Sequence, residues 1–403
     1  MSIETNHDSR VSRGSVATFA AACTLVVLAQ LSAPAAAGAL DQARRIHDRI
    51  AGVPPAPEVL DDMADLITKG KLLEAAEIAT EHPAFYNVTL KNFVTPWTNR
   101  EQTVFAPLND YTATVIGMVR DNVPFNTVLS ADLLYTINAP GIPAYSPSSN
   151  DHYEQAEAAG VDLKAALVPN TQSALNGIPP NATAGVITTR AAAEAFFIDG
   201  TNRAMFRFTL MNYLCRDLEQ VQDTSRPPDR IRQDVSRSPG GDSRIFLNNC
   251  IGCHSGMDPM TQAFAYYDYD NGTDGTNGTN RLIYTPGQPV PKYFVNADNF
   301  RPGYVTPDDS WENRWRQGPN QHLGWDPSLP GSGKGAKSLG EELAASTAFA
   351  QCQVEKVFRA VCFRTPQDGT DRAEIVRITG VFRDENYNLK RVFQETALYC
   401  KGE

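Results

Sequence analysis

Residues 250–268 read CIGCHSGMDPMTQAFAYYD, opening with Cys250-Ile251-Gly252-Cys253-His254. C-x-x-C-H is the attachment pattern for c-type haem. With seven cysteines and six histidines in 403 residues, chance supplies about 0.002 such matches, so accident explains it poorly. The order follows from the chemistry. Two thiols one helical turn apart can each add to a haem vinyl group, and the adjacent imidazole then reaches the iron as proximal ligand. The expectation is one covalent haem c, with Cys250 and Cys253 as the attachment residues and His254 as the iron ligand. The fold expected around it is mainly α, a cytochrome-c-like haem segment embedded in a larger helical protein with long irregular loops.

Three other readings of the pentapeptide compete. A thioredoxin-like C-x-x-C sits in a βαβ frame after a strand, whereas this one follows a Pro/Gly/Ser-rich stretch over 224–241. A zinc knuckle needs a second ligand pair at short spacing. The next histidine downstream is His322 and the next cysteine is Cys352. A plain disulfide leaves His254 without a role.

The distal iron ligand is less legible. No methionine follows Met260, and Met257 and Met260 lie too close to His254 to reach the opposite haem face. Both are expected, with Tyr267, to pack against the haem edge as apolar filler. The remaining distal candidates are Met205 and Met211 on the preceding helix and His322 in a long loop. A five-coordinate iron is the alternative.

The N-terminus reads as an address. Arg10 and Arg13 precede an apolar run over 16–31, and Ala33 to Gly38 supplies small residues for a peptidase. That pattern matches a secretory signal peptide, and the run is shorter than the ~20 residues of a membrane span. The mature chain is expected in the periplasm or outside a bacterial cell, without a transmembrane segment. The net charge is −10, from 36 Lys+Arg against 46 Asp+Glu. Nucleic acid is therefore excluded as a partner, because phosphate contacts need dense basic clusters.

Helices are expected over 40–50, 58–69, 71–81, 107–120, 124–135, 187–197 and 201–220. The C-terminal segment shows the clearest pattern. Leu343, Thr347, Ala350, Val354, Val357 and Val361 recur at spacings of three and four, one largely apolar stripe on one helix. The organisation read from this is a signal peptide over 1–37 and an N-terminal helical region over 38–138. A linker or loop region over 139–186 and a haem-binding helical region over 187–270 follow. A Gly/Asn/Trp-rich loop region over 271–337 then leads to a C-terminal helical region over 338–403 that packs on the haem domain.

Within the loop region, Trp311, Trp315 and Trp325 are expected to form a small core of its own. Residues 268–280, DYDNGTDGTNGTN, bring Asp268, Asp270 and Asp274 close together. Calcium is the functional reading of that run. A flexible polar turn is the favoured one, because no Glu closes the loop and the glycines miss the EF-hand positions.

Cys23 leaves with the signal, so Cys215, Cys250, Cys253, Cys352, Cys362 and Cys400 remain. An even count in an exported chain fits disulfides or covalent cofactor attachment. On one helix, Cys352 and Cys362 stand ~15 Å apart along the axis, beyond the ~7 Å between Cα atoms that a bridge tolerates. The pairing favoured is Cys362 with Cys400 and Cys215 with Cys352.

Several segments, in order, resemble the exported planctomycete-type cytochrome family. The haem segment carries its C-x-x-C-H, then Asp258-Pro259, a short apolar helix with Ala263, and the closing Tyr267-Asp268. Residues 201–217, ending Leu214-Cys215-Arg216-Asp217, resemble the helix before that segment. Residues 338–364 resemble the family's last module, and 109–135 are similar to an earlier helical one. The stretch 271–337 has no counterpart. The resemblance implies an exported, helical, haem-carrying redox protein, with no substrate attached.

Two classes of function are expected. One is an electron carrier whose partner is a redox protein or a small-molecule donor or acceptor in the cell envelope. The other is a haem-dependent oxidoreductase, peroxidase-like or acting on an exported organic substrate, in which His322 or His152 would be the distal acid/base group. An envelope binding or scaffold protein with structural haem is a third reading.

Overall fold

The first helix, Ala39–Ala51, sets the pattern of the N-terminal part. Ala43, Ile46, His47 and Ile50 fall three and four residues apart and are buried, while Asp41, Arg44 and Arg45 face outward. Gly52, at φ 74°, closes the helix in the left-handed region that glycine tolerates. A computed structural model describes residues 37–198, 201–272, 278–293 and 299–402. The signal peptide expected over 1–37 lies, apart from Ala37, outside them, as does Asp274.

Helices Pro57–Thr68 and Leu72–Glu81 pack with the first, and the last helix, Leu389–Tyr399, closes the group. Arg45 donates to the Lys401 carbonyl at 3.1 Å, tying the two ends of the described chain. Residues 37–403 cluster as one unit. A single apolar core runs through it from Ala43 to Ala397. Its centre is the helix Asp110–Arg120, buried from Asp110 through Val119. Asn109 caps that helix by accepting from the Thr112 N–H at 3.0 Å.

The expected mainly α fold is observed, with short two-stranded sheets added. The helix expected over 124–135 does not form. A 3-10 turn at Phe125–Thr127 is followed by strand Leu134–Ile137, which pairs antiparallel with Leu167–Asn170. The aromatic and β-branched residues Tyr135, Thr136 and Ile137 suit a strand better than a helix. Tyr135 also needs this placement, because its ring fills the space where Gly117 carries no Cβ.

The helix expected over 201–220 spans only Arg203–Tyr213. Cys215, at φ 52°, breaks it. Asp217 then starts a separate 3-10 turn, Leu218–Val221, with a capping box to Gln220.

The C-terminal stripe belongs to two helices, Gly335–Ala344 and Thr347–Cys362. Ser346 makes the break: its Oγ accepts from the Phe349 N–H at 3.2 Å and donates to the Leu343 carbonyl at 2.7 Å. Helix Gly369–Asp384 completes the packing. Cys352 and Cys362 still share one helix, and the favoured bridges form: Cys215–Cys352 with 5.3 Å between Cα atoms and Cys362–Cys400 with 5.6 Å.

The stretch 271–337 is less irregular than expected. Arg281–Tyr284 pairs with Tyr267–Asp270, and Ser310–Glu312 with Ser332–Lys334. Trp311 and Trp315 are buried in the main core, with Trp325 packed against it, rather than forming a core of their own. Among the described residues no helix is long and apolar enough to cross a membrane.

Candidate haem-attachment site

The motif occupies the start of helix Ile251–Thr261, entered through a wide π-turn at Phe246–Cys250. Such turns are frequent at functional sites. The helix is held between Arg203–Tyr213, the 3-10 turns Leu218–Val221, Pro228–Arg230 and Arg314–Arg316, and strand Ser310–Glu312. Gly256 is what lets this wall close. A Cβ there would stand 1.8 Å from the Trp315 indole Nε1, so only glycine admits the buried ring.

Cys250 and Cys253 are half-buried free thiols, while the other four described cysteines are bridged. Cys250 and Ile251 pack on a small apolar cluster of Ile231, Val235 and Phe246, with Ile245 and Leu247 exposed beside them. The Cys253 Sγ faces the Leu218 carbonyl at 3.6 Å. Burial pushes the Cys253 thiol up, and Cys250, Glu219 and Asp217 add to the shift. Among the described residues no three His, Cys, Asp or Glu side chains converge to hold a bare metal ion.

His254 keeps 19% of its side chain exposed, and its Nδ1 lies 3.0 Å from the Asp258 Oδ1, one turn along the helix. No hydrogen bond occupies its Nε2 among the described residues. Asp258 is fully buried and takes three further contacts: the Arg203 Nε at 2.8 Å, the Arg203 Nη2 at 3.1 Å and the Arg232 backbone N–H at 3.2 Å. Arg203 also donates to both oxygens of Asp234, at 2.6 and 2.9 Å. The buried Arg232 donates to the Thr201 Oγ1 at 2.5 Å. Burial alone would raise the Asp258 carboxyl, but Arg203, His254 and Arg232 outweigh it and hold the group well below the usual carboxylate range.

These residues fit a covalently bound haem. Two unbridged thiols stand one turn apart, Cys250 packed on an apolar cluster, and the adjacent imidazole has one nitrogen held and the other unengaged. Metal-binding histidines are usually held this way through their second nitrogen.

The other candidates fall elsewhere. Met257, Met260 and Tyr267 are buried in the main core. The Tyr267 hydroxyl donates to the Ala182 carbonyl at 2.5 Å and its ring stacks on Phe197. Met205 is buried, and its Sδ lies 3.8 Å from the Thr209 Oγ1. Met211 lines a cleft with Trp97, Cys215 and Lys356. His322 is exposed, its Nδ1 2.5 Å from the Pro319 carbonyl. His152 has both ring nitrogens engaged, with the Pro143 carbonyl and the Ile137 N–H. Asp268 pairs with Lys292 at 2.6 Å, and Asp270 accepts from the Thr279 N–H and Oγ1.

In the sequence only the family resemblance marks Asp258, and nothing marks Arg203, Arg232 or Asp234. A carboxylate four residues after a helical histidine was a readable signal. The arginines and Asp234 come from other segments, and no local pattern marks them. Compared with protein-family models, curated proteins and solved structures, the chain matches none.

Proposed function

We propose that this protein is an exported mono-haem c-type cytochrome that transfers electrons, of the planctomycete type its segments resemble. The observation that carries the reading is the selective state of the cysteines. Among the described residues four are bridged, and the two left free are those of the C-x-x-C-H, next to an imidazole hydrogen-bonded to a buried carboxylate. Two disulfides fit an oxidising compartment outside the cytoplasm. Haem bound here supplies a one-electron iron couple tuned by its ligands and burial. Cys250 and Cys253 would hold it, and His254 would ligate the iron, its Nε2 carrying no hydrogen bond among the described residues. The exposed Ile245 and Leu247 flank the attachment turn and offer an apolar surface to an envelope redox partner.

The placement of the distal candidates favours a second reading, an open iron position with oxidoreductase activity. Met205 is set in the core beside Thr209, and His322 stands on the surface.

One preparation tests both readings: the full chain exported in a host with haem-attachment machinery. Cys253→Ala should leave a single thioether, with a shifted ferrous band and poorer attachment. Full attachment with an unchanged spectrum would sink the assignment. In the parent, ferrous bands indifferent to carbon monoxide indicate the electron carrier, and prompt binding indicates the open site.

A further inference from the structure

The ion cluster behind the motif does more than fill space. It holds two guanidiniums, Arg203 and Arg232, and two carboxylates, Asp234 and Asp258, so its formal charge is balanced before His254 is counted. An ionised carboxylate can only accept hydrogen bonds. The atom facing Asp258 across 3.0 Å, His254 Nδ1, must therefore carry the proton, and the lone pair is left on Nε2.

We propose that Asp258 is the positioning residue of His254, and that Arg203 sets how much negative charge Asp258 passes to the ring. The inference rests on the reading of His254 as iron ligand. Asp258 sits one helical turn beyond His254, so backbone geometry fixes the pair on one face. Arg203 grips the same Oδ1 that faces the ring, at 2.8 Å, and the other oxygen at 3.1 Å. A carboxylate shared in this way fixes the tautomer and the ring plane. It also polarises the ring less than an unshared carboxylate would. Asparagine at 258 could present either its oxygen or its amide N–H, so it would fix neither the tautomer nor the charge.

The two partners should therefore act with opposite sign. An axial imidazole that receives more negative charge stabilises the ferric state. In the haem-loaded full chain, Asp258→Asn should raise the ferrous-to-ferric ratio at a fixed potential about tenfold, or 59 mV for one electron. Arg203→Gln should lower that ratio. A shift of both variants in the same direction, or of neither, overturns the proposal.

Both variants cut into a buried cluster and either could fail to fold, so the parent supplies a second readout. Long-range 15N spectra of the haem-free chain, recorded above the range in which histidine protonates, report the tautomer of His254, assigned against His254→Gln. The proposal expects the proton on Nδ1, and a proton on Nε2 contradicts it. If the parent takes up no haem in an attaching host, the cytochrome reading fails while the tautomer result still decides the role of Asp258.

Discussion

At the scale of single residues, the buried charges and the one glycine wall set the motif helix in place. The Asp234 side chain is 8% exposed and paired with Arg203. Burial would raise its carboxyl, but the Arg203 hydrogen bonds and charge hold it below the ordinary value. A folded-state value below the unfolded one, about 3.9, stabilises fully above about pH 4 and fades as pH falls through the folded value. Asp234→Asn should then cost about 3 kcal/mol at pH 7, the low end for breaking a buried pair because Asp258 still serves Arg203. Urea titrations at pH 7 and pH 3 should show the deficit shrinking in acid. A deficit that is equal at both pH values contradicts the charge argument. At the wall, Gly256→Ala should destabilise by about 1–3 kcal/mol through overpacking against Trp315. Trp315→Leu makes room, so the double variant should cost clearly less than the two single losses added. Strict additivity in the double-mutant cycle would mean that the indole does not abut Gly256. The pentapeptide stood out in the sequence because its pattern occupies five consecutive positions. Arg203, Arg232 and Asp234 did not, since only folding brings residues 203, 232 and 258 together.

Among the elements, those with strong periodicity were the readable ones. Ala39–Ala51, Pro57–Thr68 and Leu72–Glu81 fall within a residue or two of their expected bounds, because each shows an apolar face and a Pro or Gly at an end. Residues 124–135 misled because a proline at the start suits a helix and a turn alike. The competing preference of Tyr135 and Ile137 for a strand depended on a partner over thirty residues away. The C-terminal stripe continued across Ala345 and Ser346 even though the helix did not, since periodicity records which side faces the core and not whether the axis is unbroken. Ser346 is the residue that decides it, so Ser346→Ala should cost about 1 kcal/mol by removing the cap of Thr347–Cys362. Thermal unfolding of the variant measures this. An unchanged midpoint would mean that the break does not depend on the cap.

For the whole molecule, the bridges join parts that the sequence keeps far apart. Cys215–Cys352 spans 137 residues and ties the helix before the motif to the C-terminal helices, while Cys362–Cys400 spans 38. In the chain-entropy limit these loops contribute about 5 and about 4 kcal/mol. The Cys215→Ser/Cys352→Ser double variant should therefore lower the unfolding midpoint more than Cys362→Ser/Cys400→Ser. The reverse order would show that native-state effects outweigh loop length. Helix geometry excluded only a Cys352–Cys362 bridge and left each of them to pair with Cys215 or Cys400; that separation survived the break at Ser346. The central claim is that Cys250 and Cys253 exist to hold haem, and its most direct test is covalent. The full chain, exported by a bacterium equipped for haem attachment, is unfolded in acidified organic solvent, and its mass, visible spectrum and alkylatable thiols are recorded. The haem is expected to stay on the chain, with neither Cys250 nor Cys253 open to alkylation. A colourless chain with both thiols open to alkylation would contradict it.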